Sequence, residues 1–464
     1  MQRRRYAIVG TGARAEMFVR ALVTEHAESA ELVALADINP VRVSAYNRRL
    51  AELGAPVASE WQAEDVPEML GKERVDTLIV TTVDRTHDEY IVTALDAGCD
   101  VITEKPMTID AQRCRRILDA AERSGRRVTV AFNYRYNPLH EKVRELLAGG
   151  QIGEVGSVHF EWLLDVRHGA DYFRRWHRDK ANSGGLLVHK ATHHFDLVNW
   201  WLAARPVRVY ASGRLFFYGD NGARHGYDRG YERAHGAPDA ADDPFALDLA
   251  ASPRLHELYL DAEHVDGYHR DQNVFAPGVT IEDDMAVLVN YDSGATMTYH
   301  LTAYAPWEGY RIAFNGSKGR LELDVVESDH VSPAAAGGLK GAPVPEGPMS
   351  STSPLPAGGL PAAGSGGVLH GAAAAAESGG YTLTVRPYWE PPRQVNVPGY
   401  TRSGHGGADA RMTHTLFTAA AHTPDRLGRA ATERDGATSL LVGLAGNESM
   451  RTGEPVRVAD IVQI

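Results

Sequence analysis

Short apolar runs alternate with longer amphipathic stretches over the first 132 residues, and the pattern then changes. Tyr6 to Val9, Glu31 to Ala36, Asp76 to Thr81, Asp100 to Thr103 and Arg127 to Ala131 are compact and rich in Val, Ile, Leu and Ala. Runs apolar at successive positions suit strands buried on both faces. Between them, Ala13 to Thr24, Thr86 to Ala97 and Ile109 to Ser124 carry helical spacing. This alternation predicts a parallel, doubly wound sheet with right-handed crossovers.

Further on, Val155 to Leu164 alternates apolar and polar residues, as a half-buried strand does. Ser183 to Leu202 reads as one helix ending at Trp200 and Trp201. Val207 to Phe217, Ile281 to Tyr291, Ala295 to Thr302, Tyr310 to Asn315 and Arg320 to Val326 read as strands, with hairpin turns at Asp292-Ser293-Gly294 and Gly316-Ser317-Lys318-Gly319. Helices are predicted from about Ala408 to Ala421 and from Asp435 to Thr452. Two excursions interrupt the pattern: an acidic one near 219–278, and one near 331–379 rich in Ala, Gly, Pro and Ser. The second is low in complexity and is expected outside the core. The fold class is therefore α/β: a dinucleotide-binding type of domain over residues 1–134, then an α/β domain over 135–464 with a large, mainly antiparallel open sheet.

A chain of 464 residues exceeds one ordinary core, which agrees with two units. The net charge of −12 argues against nucleic acid or an anionic membrane as partner. Two cysteines, Cys99 and Cys114, give no disulfide framework and favour a reducing compartment. Arg3-Arg4-Arg5 leads straight into the first strand, with no apolar leader segment between. The expectation is a cytoplasmic protein with no membrane span.

Candidate chemistry gathers at the predicted strand ends. Gly10-Thr11-Gly12-Ala13-Arg14-Ala15 joins the first strand to a helix. The first Gly permits a tight turn, the second lets backbone approach a pyrophosphate, and Ala15 allows close helix packing. Asp37 ends the second strand, where a carboxylate accepts from the adenosine ribose, so NAD is favoured and NADP is the alternative. Thr81, Thr82 and Asn133, at later strand ends, complete the predicted cofactor cleft. Glu104-Lys105-Pro106 closes another strand. A cation there suits the developing alkoxide of an alcohol oxidation. Pro106 restricts Lys105 to extended backbone and is compatible with a cis bond.

The segment Gly184 to Asp196 contains His189, His193 and Asp196. On a continuous helix His189 and His193 share a face, and Asp196 stands where it would orient His193. Paired His at this spacing also occurs in metal sites, but Lys190 follows His189 and no third ligand is evident, so no metal is expected. His168, Tyr172, Trp176 and His177 interleave rings with polar groups, as a sugar site does, and Arg135 joins these predicted substrate contacts. Gly404 to Asp409 opens a later helix and places His405 as a further, weaker candidate.

Together these residues resemble the Gfo/Idh/MocA family, a Rossmann domain followed by an α/β domain whose open sheet often mediates oligomers. The resemblance implies an NAD(P)-dependent enzyme that oxidises a hydroxyl of a sugar, glycoside or cyclitol, assembled as a dimer or tetramer. It implies Lys105 as the catalytic lysine, Glu104 beside the nicotinamide, His87 on the cofactor side, and His193 as the His of an Asp-x-x-x-His pair. In this reading Lys105 polarises the hydroxyl and His193, aided by His189, accepts its proton. Two positions depart from the pattern: His189 stands where the family has Asp, and Val83 where it has Pro. Redox-neutral glycoside cleavage, through oxidation, elimination and re-reduction, is the alternative activity. A catalytically silent cofactor-binding regulator is the non-enzymatic one.

Overall fold

The computed structural model describes residues 3–227, 229–331, 379–400, 404–418 and 425–464. The first sheet contains β1 (Arg4–Val9), β2 (Ala30–Asp37), β3 (Ser59–Gln62), β4 (Thr77–Val80), β5 (Asp100–Thr103) and β6 (Val128–Val130). They pair in parallel in the order β6-β5-β4-β1-β2-β3. Ile8, Val9, Leu78, Ile79 and Val80 are fully buried because helices cover both faces, which is why these runs are apolar at consecutive positions. β3 escapes the pattern: it is an edge strand whose residues are exposed or half-buried, so nothing selects an apolar run there.

The second sheet holds β7 (Val155–Asp165), β8 (Pro206–Arg214), β9 (Asp284–Tyr291), β10 (Thr296–Ala305), β11 (Glu308–Gly316), β12 (Gly319–Ser328), β13 (Gly380–Pro387) and β14 (Arg393–Gln394). β15 (Ala431–Thr432) leaves this half and pairs antiparallel with β6, and β16 (Val456–Arg457) closes the edge beside β8. The order is β14-β13-β12-β11-β7-β10-β9-β8-β16. Neighbours are antiparallel except β7 and β10. One face packs Trp162, Phe314 and Leu323 against Phe195, Trp201 and Leu441 of the helices Thr192–Leu202 and Glu433–Thr452. The strand expected to reach Phe217 stops at Arg214. There the Asp283 carboxylate accepts from the backbone N–H groups of Phe216, Phe217 and Tyr218 and turns the chain outward.

The helix expected over Ser183–Leu202 is broken into Lys180–Ser183, Leu186–His189 and Thr192–Leu202. Gly184 and Gly185 both take positive φ (71° and 81°), which ends the first piece. The Ala191 N–H then reaches back five residues to the Leu186 carbonyl, a wider turn that shifts the register before the last piece.

The excursion near 219–278 is folded, in short helical turns, and returns to the first sheet: Leu247, Leu249 and Leu258 share a core with Tyr6, Phe18 and Tyr46. The Ala/Gly/Pro-rich excursion lies, apart from its ends, outside the described residues. Among the described residues no helix is long and apolar enough to cross a membrane.

Candidate active site

The first sheet brings its loops together at the carboxyl ends of β1, β2, β4 and β5, where open α/β sheets bind ligands. Gly10 has φ of 91°, and a Cβ on it would lie 2.6 Å from the backbone of Thr81 and Thr82. Only glycine lets the β1 turn lie so close to the end of β4. Thr11 donates through both N–H and Oγ1 to Asp37 Oδ2, at 2.6 and 3.0 Å, and Asn39 N–H donates to Oδ1 at 2.9 Å. A carboxylate has about four lone-pair sites, so Asp37 keeps capacity for a ribose hydroxyl. The glycine turn, the helix opening at Ala15 and the buried Asp37 fit a dinucleotide. Gly10→Ala is expected to weaken NAD binding by at least about tenfold, read by fluorescence titration, because it combines strain with a backbone clash.

At the β5 side of the cleft, Arg14 Nε donates to Glu104 Oε1 at 2.6 Å. Asn133 Nδ2 donates to Asp409 Oδ1 at 2.7 Å, so the helix Gly404–Phe417 covers this end of the cleft. The side chain of His405 lies outside the described residues. The Lys105–Pro106 peptide is cis. Lys105 Nζ donates to the His189 carbonyl at 3.1 Å. Burial, reinforced by the nearby charge of Lys190, lowers Lys105 to about 7.

His189 Nδ1 lies 2.5 Å from Asp84 Oδ2. Asp84 stands just past β4 and is nearly inaccessible. Burial pushes His189 well below its ordinary value, helped by Lys105 and Arg175, and raises Asp84. Burial therefore favours the neutral imidazole, and a proton on Nδ1 facing Asp84 would leave Nε2 as an acceptor. The imidazole meets His177 edge to face at 4.1 Å, with Tyr172 and Trp176 beyond at 5.5 and 6.0 Å. His168 Nδ1 is 2.8 Å from Glu308, and its Nε2 is 3.2 Å from the Tyr172 hydroxyl. Trp176 also lines a cavity of about 450 Å³ with Arg178, Asn182, Tyr268 and His269.

Several expectations need correction. His189 and His193 do not share a helix face: His193 stacks on Tyr134 at 4.4 Å, away from the ring set around His189, because the turn between them is wider than an α-helical one. Asp196 does not orient His193. Both its oxygens accept from Arg135, at 2.8 and 2.6 Å, and Ser439 donates to it as well. Arg135 in turn is 2% exposed and also reaches Asp435 and the Gly428 carbonyl, so its guanidinium ties together segments of the second half rather than facing a substrate. His87 is fully buried, with its ring nitrogens 2.9 and 3.2 Å from the carbonyls of Pro106 and Thr82, so it braces the two strand-end loops.

Burial holds Asp196 up at about 6 despite Arg135. Arg135→Ala would strand this carboxylate and is expected to cost about 3–5 kcal/mol of stability at neutral pH. A carboxyl whose folded pKa lies above its unfolded value loses stability as pH rises. The penalty should therefore shrink in acid, which denaturation at pH 5 and pH 7 would measure.

Asp84, Tyr134 and Lys190 are the residues that sequence reasoning missed. Lys190 Nζ donates to the Tyr134 hydroxyl at 3.2 Å and lies over the Trp162 ring at 5.0 Å. Asp84 had a signal: it follows a parallel strand, at the edge where ligands bind. Among the described residues no group of three or more His, Cys, Asp or Glu side chains is placed to hold a metal ion.

A parallel sheet with a glycine turn and a half-buried lysine at its carboxyl edge defines a dinucleotide-dependent oxidoreductase. Residues 4–132 match the model of an oxidoreductase family with an NAD-binding Rossmann fold, and residues 144–340 match its C-terminal α/β domain. The chain is 38% identical to the putative oxidoreductase YteT of Bacillus subtilis over 68% of its own length and 75% of that protein's. It is 26% identical to an inositol 2-dehydrogenase of Rhizobium meliloti over 55% of this chain and 83% of that one. The fold superposes on the WlbA dehydrogenase of Bordetella pertussis, solved with NADH and UDP-GlcNAcA, with a TM-score of 0.60, 17% identity and coverage of 98% and 99% of the two chains. The chain belongs to the Gfo/Idh/MocA oxidoreductase family and binds NAD.

Proposed function

We propose that the enzyme oxidises a secondary hydroxyl of a sugar, glycoside or cyclitol, using Lys105 as the group that exchanges the hydroxyl proton. The observation that carries this reading is the geometry at the end of β5, where the half-buried Lys105 donates from Nζ to the His189 carbonyl at 3.1 Å and burial lowers it to about 7. Enzymes lower a lysine into this range by burial when it serves as a general base. As the amine, Lys105 accepts the hydroxyl proton. As the ammonium that results, it stays hydrogen-bonded to the carbonyl oxygen left behind. NAD, when bound, takes up the hydride.

The neutral His189, fixed by Asp84, presents Nε2 to a neighbouring hydroxyl and restores through Asp84 the carboxylate that the family pattern places at position 189. The sequence names His193 as proton acceptor. The balance at Lys105 supports Lys105 itself, and His193 is proposed to hold a ring hydroxyl from its stack on Tyr134. Tyr172, Trp176 and His177 supply the apolar wall for C–H faces. The relationship to an inositol 2-dehydrogenase supports the substrate class. The open face of the second sheet, with Tyr210 and Leu288 exposed, is proposed to pair copies of the chain, which sedimentation would test.

The purified protein, given NAD and a panel of aldoses, glycosides and cyclitols, is expected to form NADH with one member of the panel. For that substrate kcat/KM should rise with pH and level off above an apparent pKa near 7, because the ammonium form of Lys105 cannot accept a proton. Release of free sugar from a glycoside with no net NADH would move the assignment to redox-neutral cleavage.

A further inference from the structure

The insertion between β8 and β9 reaches across the molecule to the adenosine end of the cofactor cleft. The Leu258 carbonyl accepts from Arg42 Nε at 3.0 Å, and the Ala262 carbonyl accepts from Asn39 Nδ2 at 2.8 Å. The Tyr259 hydroxyl accepts from Ala13 N–H of the glycine turn at 3.1 Å. Asp266 lies 2.7 Å from Arg42 Nη1, and the same nitrogen is 3.7 Å from Asp37 Oδ1. The Arg42 side chain is 8% exposed, and its Nη2 has no hydrogen-bond partner among the described residues.

The cation nearest the ribose-binding carboxylate is thus held between two carboxylates, one from the Rossmann sheet and one from the insertion. A 2′-phosphate arriving beside Asp37 would need Arg42 as its counter-ion, and Asp266 already claims Nη1. The local sum of one guanidinium and two carboxylates is negative and repels a phosphate. A free 2′-hydroxyl needs only an acceptor, which Asp37 provides.

We infer that Asp266 is a cofactor-specificity residue: by holding Arg42 it makes the cleft take a dinucleotide with a free 2′-hydroxyl and reject the 2′-phosphorylated form. The inference rests on the dinucleotide cleft described above. It gives the insertion a role at a distance from the hydride-transfer end.

Equilibrium binding of NAD and of NADP, followed by calorimetry, tests it in the full chain. Asp266→Asn keeps the shape of the side chain and removes its charge. It is expected to raise NADP affinity by about ten- to a hundredfold and to change NAD affinity by less than about threefold. Adding Arg42→Ala to Asp266→Asn should cancel the gain. Glu257→Gln, which loosens the insertion's link to Arg48 and its internal pair with Arg254 without touching Arg42, should leave the NADP/NAD ratio unchanged. Unchanged NADP affinity in Asp266→Asn, parallel weakening of both dinucleotides, or the same shift in Glu257→Gln would overturn the inference. A wild-type chain that bound neither dinucleotide would overturn the cleft itself.

Discussion

Lys105→Ala is expected to lower turnover by ~10²–10⁴ while NAD still binds. In the proposed reading the glycine turn and Asp37 grip the adenosine end of the cofactor, away from Lys105, so the deletion should leave that grip intact. It removes both the proton acceptor and the donor to the new carbonyl oxygen. Lys105→Arg should be nearly as damaging, since a guanidinium keeps its proton at any accessible pH and brings the wrong shape. Small primary amines added to Lys105→Ala should restore part of the rate, because an amine diffusing into the gap can accept the proton. Rescue by amines, with no effect on the wild type, would separate a chemical role from a structural one.

Asp84→Asn should lower kcat/KM by about 10²-fold and shift the pH profile as well. The amide can donate to His189 Nδ1, which moves the imidazole proton to Nε2 and turns the acceptor facing the substrate into a donor. Asp84 also raises Lys105 against the stronger effect of burial. Without that negative charge, burial lowers Lys105 further, and the acidic limb of the kcat/KM profile moves to lower pH. A lost rate with an unmoved profile would mean that Asp84 serves only to position His189.

Much of the fold was legible because the first sheet is covered on both faces, so β1, β2, β4 and β5 each had to be apolar at consecutive positions. The glycine turn and Lys105 were legible for a related reason. Strand ends in such a sheet are where ligands bind, so a residue type at that place carries meaning. β3 stayed hidden because a short, exposed edge strand is under no apolar selection. The broken helix stayed hidden because helical spacing does not register one extra residue in a turn, yet that residue separates His189 from His193.

The partners of the polar groups were harder still. Asp196 and Arg135 read as site residues from their neighbours in sequence, but their buried pairing is set by packing between segments 61 positions apart. Asp84 meets His189 across 105 positions, and Arg42 meets Asp266 across the insertion. No local pattern encodes such meetings. They follow from how the second half folds back on the first.

Transfer of label from substrate to cofactor tests the central assignment most directly. A cyclitol or sugar deuterated at the carbon to be oxidised, incubated with the enzyme and NAD, should pass its deuterium to the nicotinamide ring. The Lys105→Ala protein, loaded with NAD to the same extent, should transfer none in the same time. Wild-type-like transfer by Lys105→Ala, or NADH that carries only solvent hydrogen, would contradict the account.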